Sequence, residues 1–395
     1  MKKYSEVVIV GAGASGLLCA GILAEAGIPV MILEKNNKPA RKLAATGNGR
    51  CNFTNLNMDT GCYYGDAAWM AGILDQYTPD RIIRCFRRIG VYERERQGYV
   101  YPYTNQASTV VGALQQYCCR GAVEIVTECR VFKAVRQKGK TGFCLSTSQG
   151  DILCGTLVLA TGGQAYGELG GDTSGYELAR SLGHTVHKTF PGLTGLVCRG
   201  NWWKKVSGTR IQGRFSLRID GGYIRGECGE IQITKEGVSG IPVFQLCRQA
   251  AAAMQQGKNV EGIIDFVPPM EIEELKRWLD GHGIQGLVPG KWVPVLQDRP
   301  ALSRLLKEFS FQIQDTFGMA RAQVTAGGAA TEQVCAETME SKIAPDVFFL
   351  GELLDIDGKC GGYNLHFAWC SAMTAAETIC RRKKKENDHA ADVSM

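Results

Sequence analysis

No apolar run in this sequence reaches the roughly 18 residues that would suggest a membrane span. The chain opens Met1-Lys2-Lys3-Tyr4-Ser5-Glu6 and passes straight into a strand pattern, without the apolar core and small-residue cleavage site of a secretory signal. A soluble, cytoplasmic protein is therefore expected. There are sixteen cysteines but no C-x-x-C pair, which removes the usual signatures of zinc sites and dithiol redox chemistry. Most are expected to be reduced core residues, with no metal site, and adjacent Cys118 and Cys119 are geometrically a poor disulfide pair. No internal repeat is visible, and low complexity is confined to a polar tail after Lys385. The net charge of +6 is mild, and its densest basic run, residues 381–385, follows a helical pattern and reads as a solvated helix end.

At 395 residues the chain exceeds one ordinary core, since single cores stop growing near ~250 to 300 residues; two or three domains are expected. Residues 7–10 form a continuous apolar run. Glycines follow, then apolar residues at helical spacing through Leu17, Ala20, Leu23 and Ala24, stopped by Gly27. Pro29 opens a second apolar run, residues 30–33, that ends on Glu34, and the order predicts a βαβ unit. Beyond it the pattern predicts a loop over 38–55, helical periodicity over 69–89 and 107–119, and strands near 123–126, 131–135, 143–146 and 157–160. The composition changes near Pro191, after which short alternating segments such as 215–219 predict an antiparallel β unit, with helices over 243–256 and 271–279. From Val324 the α/β character returns, and the chain ends in a long helix near 367–382. The predicted fold class is α/β: a discontinuous Rossmann-like domain, residues 1–190 and 320–395, with an inserted β-barrel-like and helical substrate-side unit, residues 191–319.

Gly11-Ala12-Gly13-Ala14-Ser15-Gly16 fits G-x-G-x-x-G between a strand and a helix. Gly11 permits the turn, Gly13 lets the backbone approach a pyrophosphate at the helix N-terminus, and Gly16 allows close helix-to-strand contact. Glu34, about 20 residues on, stands where a carboxylate accepts hydrogen bonds from ribose hydroxyls and disfavours a 2′-phosphate. NAD and FAD share this fingerprint, so later segments decide between them. Residues 157–163 form an apolar run that breaks at Ala160-Thr161-Gly162-Gly163, and it resembles the A-T-G motif of two-dinucleotide-binding flavoproteins. Residues 348–352 end in Gly351-Glu352, resembling the late motif whose acid contacts the FAD ribityl and pyrophosphate region. Gly361-Gly362-Tyr363-Asn364 then opens the final helix, whose N–H groups can stabilise negative charge on the N1 and C2=O edge of a reduced flavin. In the loop 41–52, Arg41 and Lys42 can neutralise pyrophosphate, while Gly47 and Gly49 let the backbone lie against a flat ring. Thr46, Asn48, Arg50, Cys51 and Asn52 of the same loop, Lys35 beside Glu34, and Val131 at the head of a strand complete the expected contacts with FAD.

The run K-L-x-x-T-G-N-G-R-C-N at 42–52, with V-T-A-G-G at 324–328 and G-E-L-L-D-I-D-G-K-C-G-G-Y-N at 351–364, resembles the YhiN/BaiN-type (aminoacetone-oxidase-like) bacterial flavoproteins over nearly the whole chain. That family includes aminoacetone-oxidase-like enzymes and a bile-acid ene-reductase. The resemblance implies non-covalent FAD held by the segments just named, and two-electron chemistry that draws on NAD(P)H. Within residues 233–242 Lys235 stands where the family usually has His, and His366 stands where Gln commonly follows G-G-Y-N-L.

No residue declares itself as the acid or base; Asn48 and His366 are the catalytic candidates, although His366 on the first turns of a helix suits a packing role. Cys51 lacks a partner thiol and reads as structural. A second G-x-G-x-x-G set between a strand and a helix is missing, since Gly281–Gly286 has the spacing but follows a helical pattern, and this argues against a separate NAD(P)H domain. The insert and the loop around Asn48 are expected to wall a cleft in which hydride passes between flavin N5 and a substrate carbon. The first expectation is an NAD(P)H-linked reductase of an activated double bond in a small molecule, and the second an amine oxidase. A flavin-dependent tRNA-modifying or nucleic-acid-binding protein ranks third, because the visible basic run sits on the tail; a non-catalytic binding protein ranks last.

Overall fold

The strand Lys3–Val10 (β1) ends in four buried apolar residues, the mark of a strand covered on both faces. A computed structural model describes residues 3–137 and 142–393, with side chains through 388. The chain divides into two compact units, Met1–Thr189 with Thr325–Met395, and Phe190–Val324, so the return to the first unit comes at 325 rather than at 320.

In the first unit β1 pairs in parallel with Val30–Leu33 (β2) on one side and with Gly150–Leu159 on the other. The seven-stranded sheet runs in the order 123–126, 30–33, 3–10, 150–159, 143–147, 131–136, and Val347–Phe349 also pairs with 150–159. That strand has a double character. Its first half pairs antiparallel with Phe143–Thr147 and, after two exposed residues, alternates between buried and half-buried ones, whereas Leu157 to Leu159 pair in parallel with Val347–Phe349 and are wholly buried. Alternation marks a sheet half open to water, and continuous burial marks one covered on both faces. The register sets Val10 level with Leu33 and Leu159, and Leu159 level with Phe349. Gly11, Glu34, Ala160 and Leu350 therefore leave the sheet side by side at one edge.

The helix Ala14–Glu25 (α1) packs against the final helix, Tyr363–Val393. Trp369 anchors this layer: it is fully buried, its Nε1 donates to the Phe53 carbonyl at 2.9 Å, and its ring meets Phe86 edge-on at 4.9 Å. The periodicity over 69–89 proves to be two helices, Ala67–Gln76 and Pro79–Arg88. Pro79 is placed in the first turn of the second helix, where its missing N–H costs nothing, and the Thr78 side chain accepts from Arg81 N at 3.4 Å. The final helix is longer than its apolar pattern suggests, and the basic run 381–385 lies inside it rather than beyond it. Arg382 is paired with Glu340, and Lys383 with Glu6 and Glu386, while Arg381, Lys384 and Lys385 are exposed, so the run is ion-paired at two residues and solvated at three.

The second unit is built on a closed six-stranded barrel in the order 196–198, 237–239, 222–233, 210–219, 260–265, 309–316, every neighbour antiparallel. Phe215, Phe311, Trp203 and Trp292 fill its core, and the helices Ile241–Gln255 and Ile272–His282 belong to the same unit. Among the described residues no helix is long and apolar enough to cross a membrane.

Trp369→Ala is expected to cost about 3–5 kcal/mol, the range for truncating a fully buried aromatic, read from the urea midpoint of the first unit. A loss below ~1 kcal/mol would show that this contact does not hold the final helix in place.

Candidate functional site

The turn after β1 shows why the glycines are needed. A Cβ on Gly11, whose φ is +107°, would lie 2.4 Å from the Ala160 carbonyl oxygen, and one on Gly16 only 2.0 Å from that of Gly11. A Cβ on Gly13 would meet nothing within 4 Å, so the space before α1 is open on that side. The helix starts at Ala14 with no capping side chain and no acid in its first turn. Its positive end, with Ser15 in the first turn, thus faces that space ready for an anion.

Glu34 is buried, with only 7% of its surface exposed. Its Oε2 accepts from Ala12 N at 2.9 Å, and its Oε1 from Asn36 N at 2.8 Å and Asn36 Nδ2 at 2.6 Å. These bonds fix the carboxylate and leave acceptor capacity on Oε2. Arg41 donates to Asn36 Oδ1 at 3.1 Å and to the Glu168 carbonyl at 2.7 Å. Cys129 N donates to the Glu34 carbonyl at 2.9 Å, which lays the segment leading to Val131 beside the acid. Lys35 is paired with Asp172 at 2.5 Å.

At the neighbouring strand end, Glu352 Oε1 accepts from Thr325 N at 2.8 Å, and Lys42 Nζ reaches both carboxylate oxygens, at 2.9 and 2.6 Å. Lys42, expected to neutralise pyrophosphate, is held instead by the other acid of the site. Gly163 sits against this pair: a Cβ there would lie 2.7 Å from Glu352 Oε1 and 2.4 Å from Thr325 Oγ1. Thr161 bonds locally, its Oγ1 to the Gly162 carbonyl at 3.3 Å.

The stretch 41–49, expected as loop, begins as a helical turn and then kinks: Thr46 is extended, and Gly47, Asn48 and Gly49 follow with φ of 57°, 56° and 80°. Asn48 is exposed there, in a left-handed conformation that Asn tolerates better than most residues. The Cys51 thiol is buried and pushed up to about 12 by that burial, partly opposed by a hydrogen bond with Thr46, so it is no reactive thiolate. Arg50 Nε donates to the Gly47 carbonyl at 3.2 Å. The loop meets the start of the final helix. A Cβ on Gly362 would lie 2.7 Å from the Thr54 carbonyl oxygen and 2.9 Å from Asn52 Oδ1, a buried acceptor without a hydrogen-bond partner. Asn55 Nδ2 donates to the Gly361 carbonyl at 2.9 Å, Tyr363 OH to the Asn57 carbonyl at 3.1 Å, and Asn364 clasps Gly358 through both its N–H and its C=O.

His366 is corrected as a catalytic candidate. It is wholly buried, its Nδ1 lies 2.8 Å from Thr54 Oγ1, and burial holds its pKa down at about 4. A neutral ring with no exposed surface is a packing residue. Sequence reasoning missed Asn36, Thr54, Asn55 and Thr325, which orient the predicted residues; only Thr325 carried a signal, as part of V-T-A-G-G.

The residues fit FAD by three independent features: an uncapped helix start with open space before it, two acids fixed by backbone N–H groups, and an unsatisfied acceptor, Asn52 Oδ1, at the Gly362 turn. A ring N–H would satisfy the last. Among the described residues no group of three or more His, Cys, Asp or Glu is placed to hold a metal ion.

The HI0933-like protein Rossmann domain family matches residues 5–378. The chain is 35% identical to a 3-dehydro-bile acid delta(4,6)-reductase of Clostridium scindens, over 96% of this chain and 100% of that protein. It is 28% identical to a ribosomal RNA dihydrouridine synthase of Escherichia coli, over 97% of this chain and 100% of that protein, and equally to that of Haemophilus influenzae. Among solved structures, a 3-ketosteroid-delta4-(5alpha)-dehydrogenase from Rhodococcus jostii superposes with a TM-score of 0.55 at 14% identity, covering 96% of this chain and 97% of the other. At that identity the likeness is one of fold.

His366 yields a prediction. Folded, it stays neutral down to about pH 4, whereas an exposed His takes up a proton near 6.5. The unfolded chain thus binds a proton that the folded chain refuses, so this stability is present above pH 6.5 and is lost as the pH falls toward 4. His184, buried and 2.7 Å from Ser341 Oγ, behaves alike, with a pKa of about 4. His366→Gln is expected to remove about half of this histidine contribution in urea midpoints compared between about pH 7 and pH 5. An unaltered pH profile would mean that His366 ionises within the fold.

Proposed function

This chain belongs to the HI0933-like Rossmann-domain family and is a FAD-dependent oxidoreductase; from that premise we propose that it reduces a carbon–carbon double bond conjugated to a carbonyl, with NAD(P)H as electron donor. What carries the reading is that full-length relatives are named for delta(4,6)-reduction of a 3-dehydro bile acid and for dihydrouridine synthesis in ribosomal RNA. A steroid enone and a uracil share one chemical feature, a double bond whose far carbon is made electrophilic by a carbonyl.

Bound FAD supplies hydride transfer at N5. The glycine turn 11–16 and the start of α1 hold the pyrophosphate, and Glu34, oriented by Ala12 and Asn36, takes the adenosine ribose. Glu352, oriented by Thr325 and balanced by Lys42, takes the ribityl side. Gly361 and Gly362 let the chain pass close to the ring, and peptide N–H groups opening the final helix bring positive potential to its edge. In this reading Asn48, exposed on the kinked loop, orients a substrate carbonyl. With a single G-x-G-x-x-G between a strand and a helix among the described residues, and Gly281–Gly286 instead closing the helix Ile272–His282, the nicotinamide docks transiently rather than in a domain of its own. The setting is the cytoplasm, where NAD(P)H is supplied.

A second reading differs only in the size of the substrate: the reducible bond is the 5,6 bond of a uracil within RNA, favoured by the two dihydrouridine synthases. Anaerobic mixing of holoprotein with NADH or NADPH is expected to bleach the flavin, and a steroid enone or a uracil-containing RNA to restore its colour. Bleaching by amines alone would overturn both readings.

Glu34→Ala is expected to weaken FAD binding to apoprotein by about 10- to 150-fold, the loss of a charge-assisted hydrogen bond worth about 1.5–3 kcal/mol. An unchanged Kd would remove Glu34 from the cofactor site.

A further inference from the structure

The hairpin formed by Glu93–Arg96 and Tyr99–Pro102 carries the string Glu-Arg-Glu-Arg, which is electrically neutral as written. Side chains of a strand alternate between faces, so the fold sorts this string. Arg94 lies opposite Tyr101 and Arg96 opposite Tyr99, while Glu93 lies opposite Pro102 and Glu95 opposite Val100. One face therefore carries the acids and the fully buried Val100, and the other carries both arginines and both tyrosines. The acids are engaged, Glu93 by the Arg87 side chain and Glu95 by Gly98 N at 2.6 Å. Arg94 and Arg96 are exposed and, among the described residues, have no carboxylate at ion-pair distance.

This face adjoins the flavin site. The Arg50 guanidinium, from the kinked loop, lies 5.8 Å from the centre of the Tyr101 ring. A Cβ on Gly361 would be 3.0 Å from Tyr99 Cε1, and Asn55, opposite Tyr99 on the third strand of this small sheet, donates to the Gly361 carbonyl at 2.9 Å. At the far end Tyr103, opposite Tyr92, continues the row of rings, the two meeting edge-on at 5.8 Å. Tyr99, Tyr101 and Tyr103 recur at every second residue, about 7 Å apart along an extended strand.

We propose that this arginine and tyrosine face seats a single-stranded RNA segment leading into the flavin site, its bases stacked on the tyrosine rings and its phosphates held by Arg50, Arg94 and Arg96. The inference rests on the reading that the flavin site reduces a polarised double bond, and it names the partner of that site. Rings supply sequence-tolerant stacking and unpaired guanidiniums supply the charge complementary to a phosphate backbone. A small uncharged substrate uses neither.

The test is fluorescence anisotropy of a labelled, uridine-rich single-stranded RNA of about 12 nucleotides titrated with holoprotein at several salt concentrations. Binding is expected, weakening as salt rises. Arg94→Ala with Arg96→Ala is expected to lower affinity at least about tenfold and to reduce the log–log salt slope by about 1.4, two phosphate contacts at ~0.7 each. Tyr101→Leu is expected to lose about tenfold, and Tyr101→Phe, which keeps the ring, to bind as the parent does. Flavin absorbance per chain reports folding in each sample; if the double variant loses flavin, the Tyr101 pair decides. The proposal is overturned if the parent does not bind at ~50 mM salt, if flavin-replete variants bind as tightly as the parent, or if duplex RNA of equal length binds equally well. Failure of the chemistry is read separately. Holoprotein that binds RNA through this face yet is not bleached by NAD(P)H keeps the surface and loses the reduction. Holoprotein bleached by NAD(P)H and recoloured by a steroid enone, but indifferent to RNA, keeps the reduction and loses the surface.

Discussion

Backbone hydrogen bonds from β1 to its two parallel neighbours, and from Gly150–Leu159 to Val347–Phe349, hold four strand ends level. Gly11, Glu34, Ala160 and Leu350 follow those ends, and everything assigned to the cofactor begins from this row. A slip of one residue in any pair would move an end by about 3.3 Å and turn its side chains to the opposite face. Burial of residues on both faces of these strands makes such a slip costly, because each apolar side chain already has a place. The precision of the site is thus inherited from an apolar sheet that itself does no chemistry.

Two carboxylates stand at this edge, and each answers the cost of desolvation differently. Glu34 is surrounded by N–H donors and carries its charge without a cation in contact, whereas Glu352 shares its charge with Lys42 from 310 residues away. Buried polar groups persist when paired, and pairing also fixes their direction. Both acids are therefore oriented before any ligand arrives, which lowers the ordering cost of binding. The left-handed run at Gly47, Asn48 and Gly49 serves the same end in the backbone, by holding a tight kink where the loop meets Gly362.

The βαβ unit was legible because its evidence is local: apolar run, glycines, apolar periodicity and acid all fall between Val7 and Glu34. The later fingerprints at 160–163 and 351–352 were legible as strand ends, and the register brings them beside the first. The orienting partners were not. Asn36 and Asn55 act through contacts set by the fold, and nothing in their spacing distinguishes them from ordinary loop residues. His366 suggested a proton donor by residue type alone, and its burial against Thr54 was invisible without the tertiary structure. The basic face was hidden for a different reason: Glu93-Arg94-Glu95-Arg96 sums to zero charge, and only the two-residue period of a strand separates the signs. The conspicuous run at 381–385 differs in the opposite sense, since Glu340 and Glu6 take up the charges of Arg382 and Lys383 while Arg381, Lys384 and Lys385 stay exposed.

Closure of the six-stranded barrel, finally, bears on how the second unit behaves among other proteins. Each of its strands has a hydrogen-bonded neighbour on both sides within the chain, although Gly222–Ile233 meets 237–239 only through Gln232 and Ile233, so closure leaves little rim along which a foreign strand could extend the ladder apart from the outer side of 222–231. Sheet extension is a route by which β-rich segments coalesce, and this architecture confines it at the backbone to that one stretch. An encounter elsewhere on the barrel must then be written in side chains, where charge and shape discriminate and peptide groups cannot.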